Sequence, residues 1–360
     1  CYIGLLELYK VTHNAAYLDA VQKTVNDIAN TEINVAGSGS AFESWYSGRK
    51  YQTSPTYHTM ETCVTFTWMQ LCDKLLALTG NPFYADQIEK SLYNALMAAL
   101  KDDASQIAKY SPMEGHRCEG EEQCGMHINC CNANGPRAFA LIPDFAVKNM
   151  GNEVYVNYYG DMSASLENGH NKVLVKQHTT YPVSNVIDIT IDVTKENVFG
   201  LHLRVPVWSA QTVITLNGEE LKDICPGTYH AITRKWKKGD HIQIILDMPA
   251  RLLEQNQMQA IVRGPIVLAR DSRFNDGFVD ETLVVDSEDG IVKAEVDSVP
   301  GFAWMRLKVP VTVGTDLEGV GMYRNISFCD FASAGNTWDK QVRYRVWIPR
   351  TLDVKKGHLK

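Results

Sequence analysis

Two stretches of this chain repeat each other at an offset of 67 residues. Leu8 to Val25 reads LYKVTHNAAYLDAVQKTV, and Leu75 to Leu92 reads LLALTGNPFYADQIEKSL. Thr12 pairs with Thr79, Asn14 with Asn81, Tyr17 with Tyr84, Asp19 with Asp86 and Lys23 with Lys90. The apolar positions Leu8, Val21 and Val25 pair with Leu75, Ile88 and Leu92. In each copy an apolar-periodic helix stops at a Thr-His-Asn or Thr-Gly-Asn turn, and Tyr-x-Asp opens a second helix. A helical hairpin of this kind cannot bury its apolar face alone, so hairpins stack. The pattern predicts a ring of them, an (α/α) toroid, with an open helical array as the alternative. Two copies are too few to close a ring, and Cys1 to Leu8 reads as the middle of an amphipathic helix. The sequence is therefore expected to be the C-terminal part of a longer chain, with any signal peptide on the missing part.

Further helices are expected from near Glu61 through Leu78 and over Ile88 to Leu100. Gly37 to Glu43 reads as a flexible polar loop carrying one carboxylate, continued by Gly48 to Thr56. Loops held by a rigid scaffold are where catalytic groups concentrate.

From Val154 the period changes from 3.6 to 2. Ile187 to Val193 alternates cleanly, as does Leu201 to Val205, so each strand has one face on a core. Asn217-Gly218 between Leu216 and Glu219 is the signature of a tight hairpin. Lys237 to Asp240 turns into His241 to Leu246, and Ala260 to Leu268 and Arg343 to Ile348 are further strands. The fold class expected is all-α plus all-β: a helical catalytic domain over residues 1–150, then a β-sandwich over residues 151–360. There is room for a second small β-unit after residue 270. Trp208, Trp236 and Trp347 suit sandwich cores better than glycan stacking, and Cys225 and Cys329 read as structural.

The net charge of −7 gives no electrostatic basis for nucleic acid or an anionic membrane as partner. No apolar run approaches the roughly 18 residues of a membrane span. Six of the nine cysteines lie between Cys63 and Cys131. Such clustering in a large chain favours metal or catalysis over disulfide stapling. Cys72 reads as a core residue. Cys118 and Cys124 read as a disulfide in an oxidising compartment rather than as a second metal site.

Met60-Glu61-Thr62-Cys63 and Asn129-Cys130-Cys131-Asn132 together offer one carboxylate and three thiols, the number a tetrahedral zinc site needs. Residues two apart in mid-helix point to opposite sides, so Glu61 and Cys63 share an ion only where a helix begins. Cys130 and Cys131 need similarly irregular backbone, and Asn129, Asn132, Asn134 and Gly135 supply turn chemistry. The plainer reading makes Cys63 and Cys131 core residues and Glu61 a helix cap.

The segments Thr59-Met60-Glu61-Thr62-Cys63, Tyr84-Ala85-Asp86, Leu92-Tyr93-Asn94 and Cys130-Cys131-x-x-Asn134 resemble glycoside hydrolase family 127, which contains β-L-arabinofuranosidases. More loosely, the resemblance extends to Pro349. It implies Glu61, Cys63, Cys130 and Cys131 as ligands of Zn2+, Cys130 as the catalytic nucleophile and Glu43 as the catalytic acid/base. Two departures stand out. Ile128 occupies the place of a further family cysteine, with Asn132-Ala133-Asn134 where the family has Pro-Pro-Asn. Ala41 to Trp45 also differs from the family's acid/base loop, so the ligands carry over more firmly than Glu43.

A retaining glycosidase needs a nucleophile on one face of the anomeric carbon and an acid/base on the other. A thiol serves if it is held as thiolate, which zinc coordination ensures. The function this implies is removal of a terminal L-arabinofuranose-type sugar from plant glycans. Another pectic furanoside such as aceric acid is the alternative. A non-catalytic glycan-binding protein with a structural zinc site is a second reading, and a lyase or epimerase a third. His58, Tyr57 and His127 are candidate substrate contacts, equally readable as packing. Glu114 is a second-choice acid/base, and Glu119, Glu121 and Glu122 read as a solvated face. The partner implied is an oligosaccharide, and the resemblance suggests a periplasmic location.

Overall fold

The computed structural model describes residues 1–54, 57–122, 125–169, 171–297, 301–315, 321–350, 352–353 and 358–359. The protein is mixed α plus β. Helices come first: α1 (Tyr2–Thr12), α2 (Ala15–Thr31), α3 (Gly48–Tyr51), α4 (Thr62–Thr79), α5 (Pro82–Ser91) and α6 (Cys130–Ala146). Strands dominate from Val147 onward. No helix among the described residues is long and apolar enough to cross a membrane.

The two repeat copies end their first helices by the same device. His13 (φ 54°) and Gly80 (φ 64°) both take the left-handed conformation. Their amides donate to Tyr9 O and Leu76 O. Thr12 Oγ1 donates to Leu8 O, and Thr79 Oγ1 donates to Leu75 O. The amides of Asn14 and Asn81 then donate to those threonine hydroxyls. Left-handed C-caps of this kind satisfy carbonyls that the helix end would leave open.

Two compact units form, each discontinuous in sequence. One comprises Cys1–Asn14, Met69–Glu89 and Phe139–Met248. Its strands make a four-stranded sheet, in the order 228–236, 197–205, 153–156, 147–150. A six-stranded sheet follows the order 162–168, 171–178, 186–193, 240–245, 213–216, 219–220. Val186–Val193 alternates between half-buried and buried positions, as its sequence requires. Asn217 (φ 51°) and Gly218 (φ 87°) make the tight turn of the 213–220 hairpin. Trp236 is buried in this unit. So is Arg204, whose Nη1 pairs with Asp86 Oδ1 and whose Nη2 lies 2.5 Å from Glu89 Oε1.

The other unit comprises Ala15–Trp68, Lys90–Ala138 and Pro249–Lys360. It carries a twelve-stranded antiparallel sheet whose main path runs 284–285, 306–315, 321–330, 266–271, 258–263, 250–255, 291–292, 287–288. The buried Arg117 guanidinium donates to the carbonyls of Ala98, Phe331 and Ala334 and lies over the rings of Phe331 and Tyr344. It fastens the 107–122 segment to the sheet region of this unit.

Three local expectations need correction. The helix expected over Ile88 to Leu100 runs to Ala98, but with a π-helical turn, Leu92–Leu96, inside it. Asn94 explains the switch: its Nδ2 donates to Pro265 O and its Oδ1 accepts from Val267 N, ties to the sheet that widen the helical ladder. The loop expected to be flexible from Gly37 is buried through Ser40. Thr65 Oγ1 donates to Ser38 Oγ, and Ser91 Oγ donates to Gly37 O. Within the expected Gly48 to Thr56 loop stands α3, because one Glu32 carboxylate oxygen accepts the amides of Tyr46, Ser47 and Gly48.

Candidate metal centre

The two candidate ligand pairs, Glu61 with Cys63 and Cys130 with Cys131, sit at two helix starts. Met60 is left-handed (φ 57°), which turns the chain sharply before α4. Thr62 N then donates to Lys109 O, and Thr62 Oγ1 donates to Ala108 O. These bonds fix Glu61 just outside the helix and Cys63 just inside it. At the second start, Asn129 Oδ1 accepts Cys131 N and Asn132 Oδ1 accepts Asn129 N. This reciprocal capping begins α6 at Cys130. Gly135, one turn on, allows close packing, since a Cβ there would lie 2.3 Å from Ile107 Cδ1.

Glu61, Cys63, Cys130 and Cys131 offer ligand atoms that all lie within 4.8 Å of one another. Cys63 Sγ lies 3.0 Å from Cys130 Sγ and 3.3 Å from Cys131 Sγ. Cys130 and Cys131 Sγ are 4.0 Å apart, and Glu61 Oε1 is 3.5 Å and 3.8 Å from them. An ion with four arms of about 2–2.3 Å would set such atoms roughly 3.5–3.8 Å apart, so the quartet matches a tetrahedral centre. Glu61 and Cys131 are buried, while Cys63 and Cys130 are partly exposed.

The electrostatics also fit a cation. Burial, with Cys63 beside it, pushes the Glu61 carboxyl up to about 7. Hydrogen bonds from Cys131 and Cys130 outweigh burial and hold the Cys63 thiol down to about 5, helped by Asn134 Nδ2 donating at 3.1 Å. Burial and the Cys63 charge push Cys130 up to about 12, and the Cys63 thiolate likewise raises Cys131. The three sulfurs thus share one negative charge, held at two helix N-termini. A soft divalent cation bound here would turn all three into thiolates. The donor set of three sulfurs and one carboxylate oxygen suits zinc.

Glu43 stands on a strained turn next to this centre in the chain path. Phe42 (φ 48°) and Glu43 (φ 64°) are consecutive left-handed residues, bracketed by bridges from Ala41 to Ser44 and Thr59. Such conformations cost about 1–3 kcal/mol each and cluster at functional sites. Glu43 Oε1 lies 3.8 Å from Lys109 Nζ. His58 Nε2 is 2.8 Å from Glu121 Oε1, and its ring stacks on Phe42 and meets Tyr110 edge-on. Tyr57 is exposed, and its ring neighbours Gly115. His127 is exposed too and pairs with Glu122 at 2.9 Å. Glu114 is engaged by Arg345 at 3.1 Å.

Cys124 lies outside the described residues, and with it the expected Cys118–Cys124 bridge; Cys118 is exposed. Cys72 and Cys329 are buried, whereas Cys225 is exposed. Lys109 and Tyr110 are not singled out by the sequence, and Glu121 is exposed, as a solvated face requires, while also pairing with His58. None of the three carries a local pattern, because their partners are distant in sequence.

Residues 2–144 match the family described as Beta-L-arabinofuranosidase, GH127 catalytic domain, and residues 153–248 match the GH127 middle domain of the same enzymes. The non-reducing end β-L-arabinofuranosidase of Bifidobacterium longum subsp. longum is 24% identical over 306 residues, an alignment covering 76% of this chain and 45% of that protein. A solved GH127 β-arabinofuranosidase superposes with a TM-score of 0.81 at 22% identity, covering 99% of this chain and 60% of its own. A GH127 β-L-arabinofuranosidase from Geobacillus stearothermophilus T6 gives 0.81 at 19% identity, covering 97% and 59%. The chain therefore spans about half the length of that curated relative and about three fifths of the solved ones. The solved structures share the fold. With the catalytic and middle domains matched in order, this chain belongs to glycoside hydrolase family 127.

Proposed function

We propose that this chain carries the catalytic centre of a retaining glycosidase that removes a terminal L-arabinofuranose-type sugar from plant glycans. The observation that carries this reading is the convergence of Glu61, Cys63, Cys130 and Cys131 within 4.8 Å, with Glu43 on a strained turn anchored to the start of α4. The curated relative is named for release of the same sugar type from a non-reducing end, which supports the substrate class.

Glu61, Cys63, Cys130 and Cys131 would hold zinc. Bound there, zinc keeps the cysteines deprotonated at neutral pH and leaves the partly exposed Cys130 sulfur electron-rich. Cys130 Sγ attacks the anomeric carbon, forming a C–S bond as the bond to the leaving oxygen breaks. Glu43 gives its proton to that oxygen. Water then attacks the same carbon, Glu43 takes the water proton, and the C–S bond breaks with its electrons returning to sulfur. Two displacements on one carbon retain its configuration.

The matching caps at His13 and Gly80 support reading the helices as successive hairpins of an (α/α) toroid, with a catalytic part over residues 1–150. The alternating burial of the later strands supports a β-sandwich over residues 151–360 as its companion. The test is hydrolysis of an aryl β-L-arabinofuranoside by the zinc-loaded protein. Glu43→Gln should lose at least about a thousandfold in kcat while keeping zinc, and Cys130→Ser, which also removes a metal donor, should lose at least as much. Undiminished turnover by Cys130→Ser would remove the nucleophile assignment. Failure of a furanose-shaped epoxide to label Cys130 would count against catalysis itself.

A further inference from the structure

We propose that Phe42 and Trp45 form the leaving-group subsite, stacking on the first sugar of the glycan that stays behind when the terminal furanose is released. The inference deepens the glycosidase reading given above and rests on Glu43 as its acid/base.

The two aromatic residues stand on either side of Glu43 at a tight turn. Ala41 N donates to Ser44 O at 2.9 Å, and Ser44 N donates to Ala41 O at 3.0 Å. Between them lie the left-handed Phe42 (φ 48°) and Glu43 (φ 64°). A two-residue turn with both central residues left-handed ordinarily takes Asn, Asp or Gly. A bulky side chain in that conformation is strained. Phe42 is nonetheless 64% exposed, and Trp45 is 48% exposed. Burial in a core therefore accounts for neither ring. Strained backbone that carries an exposed aromatic beside a carboxylate points to a functional surface.

Each ring is held from behind. The Phe42 ring stacks on the His58 imidazole, with centroids 4.5 Å apart and planes 26° from parallel. That imidazole is itself fixed, by Glu121 at 2.8 Å and by the edge-on Tyr110 ring. Phe42 N donates to His58 O at 3.0 Å, which ties the main chains of the same two residues together. The edge of the Trp45 indole rests on Gly39, where a Cβ would lie 2.9 Å from Trp45 Cζ3. Glu32 Oε2 accepts the amides of Tyr46 and Ser47 and fixes the chain just past Trp45. Both rings are thus set in place by the protein, which lowers the ordering cost of binding.

The role of Glu43 says what these rings meet. To protonate the leaving oxygen, its carboxyl must come within about 2.6–3.2 Å of that oxygen. The furanose lies between Glu43 and Cys130, so the sugar attached to the leaving oxygen lies on the outer side of Glu43. The side chains nearest to Glu43 along the turn are Phe42 and Trp45. A sugar ring presents faces of C–H groups and a rim of hydroxyls, and an aromatic ring accepts the C–H face. The ligand is therefore a neutral sugar of the glycan, bound by its apolar face. Contacts with this non-reacting part of the substrate hold the leaving oxygen against Glu43 in the transition state. Neither ring forms or breaks a bond.

The test compares two substrates of the zinc-loaded full chain that share the furanose and differ in the leaving group. One is methyl β-L-arabinofuranoside, and the other is a β-L-arabinofuranosyl-pentose disaccharide. Phe42→Asn removes the ring but keeps a residue that accepts the left-handed conformation. Trp45→Ala removes the second ring. Each should lower kcat/KM on the disaccharide about tenfold and stay within about twofold of the parent on the methyl furanoside. Phe42→Tyr and Trp45→Phe, which keep a ring, should stay near the parent on both. In a Glu43→Gln background, calorimetry should show the disaccharide bound about tenfold more weakly once Phe42→Asn is added. Equal losses on the two substrates would overturn the assignment, because a mere support for the Glu43 turn gives that result. No loss on the disaccharide would overturn it too. A parent protein that hydrolyses neither substrate would defeat the catalytic reading itself, and this inference with it.

Discussion

Two clusters of ionisable groups, one fully buried and one partly exposed, each in its own compact unit, solve the same problem in opposite ways. Around Arg204, one guanidinium meets Asp86 and Glu89, and further hydrogen bonds come from nearby groups. Arg204 Nε donates to Asn157 O, Tyr181 OH donates to Glu89 Oε1 and Val207 N donates to Asp86 Oδ2. Burial still pushes Asp86 up to about 6, against the pull of Arg204. The Glu61–Cys63–Cys130–Cys131 cluster brings together one carboxylate and three thiols. The strongest influences on its members are burial and one another, not a cation. A buried acidic cluster that includes its own cation is already neutralised in place. One whose protons are shared among its own sulfurs has the donors to receive a cation.

That contrast can be broken experimentally. Chelation should destabilise the protein by about 4 kcal/mol relative to zinc held at a thousand times its Kd, read as a drop in Tm. An unchanged Tm would make the thiol cluster as self-sufficient as the Arg204 cluster. Arg204→Met should cost about 3 kcal/mol, because it strands two buried carboxylates. It should leave zinc stoichiometry unchanged, and a matched loss of zinc would show that the two clusters are not separate devices.

The pH dependence sharpens the comparison further. Zinc must displace protons from Cys130 and Cys131 at neutral pH, and from Glu61 as well once pH falls below about 7. Affinity should therefore drop about a hundredfold per pH unit just above 7 and more steeply below it. Competition with a chromophoric chelator across pH 6–8 measures this, and a flat profile would exclude the three-thiol set. The smallest effect is expected at Asn134, which donates to Cys63 Sγ and is itself held by Arg137 at 2.9 Å. Asn134→Ala should weaken zinc binding about tenfold by the same assay, and no change would make that contact incidental.

Sequence patterns disclosed those parts that carry their own local chemistry. The hairpin turns were legible because Thr-x-Asn stops a helix by bonds to its own last turn. The convergence of Glu61, Cys63, Cys130 and Cys131 was legible because each pair sits beside residues that begin a helix: Met60 with Thr62, and Asn129 with Asn132. Asn94 was visible as a motif residue, but nothing nearby in sequence says that it would reach Pro265 and Val267 and widen the helix. Gly37 to Ser40 looked flexible because its burial depends on Thr65 and Ser91. Lys109 was invisible for the same reason, since its partners Glu43 and Thr62 come from segments far upstream. The interleaved units were hidden as well, because chain order does not tell which segments will return to the same core.

The most direct test of the central claim is the zinc content of the protein, purified without chelators or oxidants and measured by elemental analysis per chain. About one zinc per chain, lost in Cys131→Ala, is the predicted result. A metal-free protein that stays folded with all four residues intact would contradict it, and Cys130 would lose its basis as an activated thiolate.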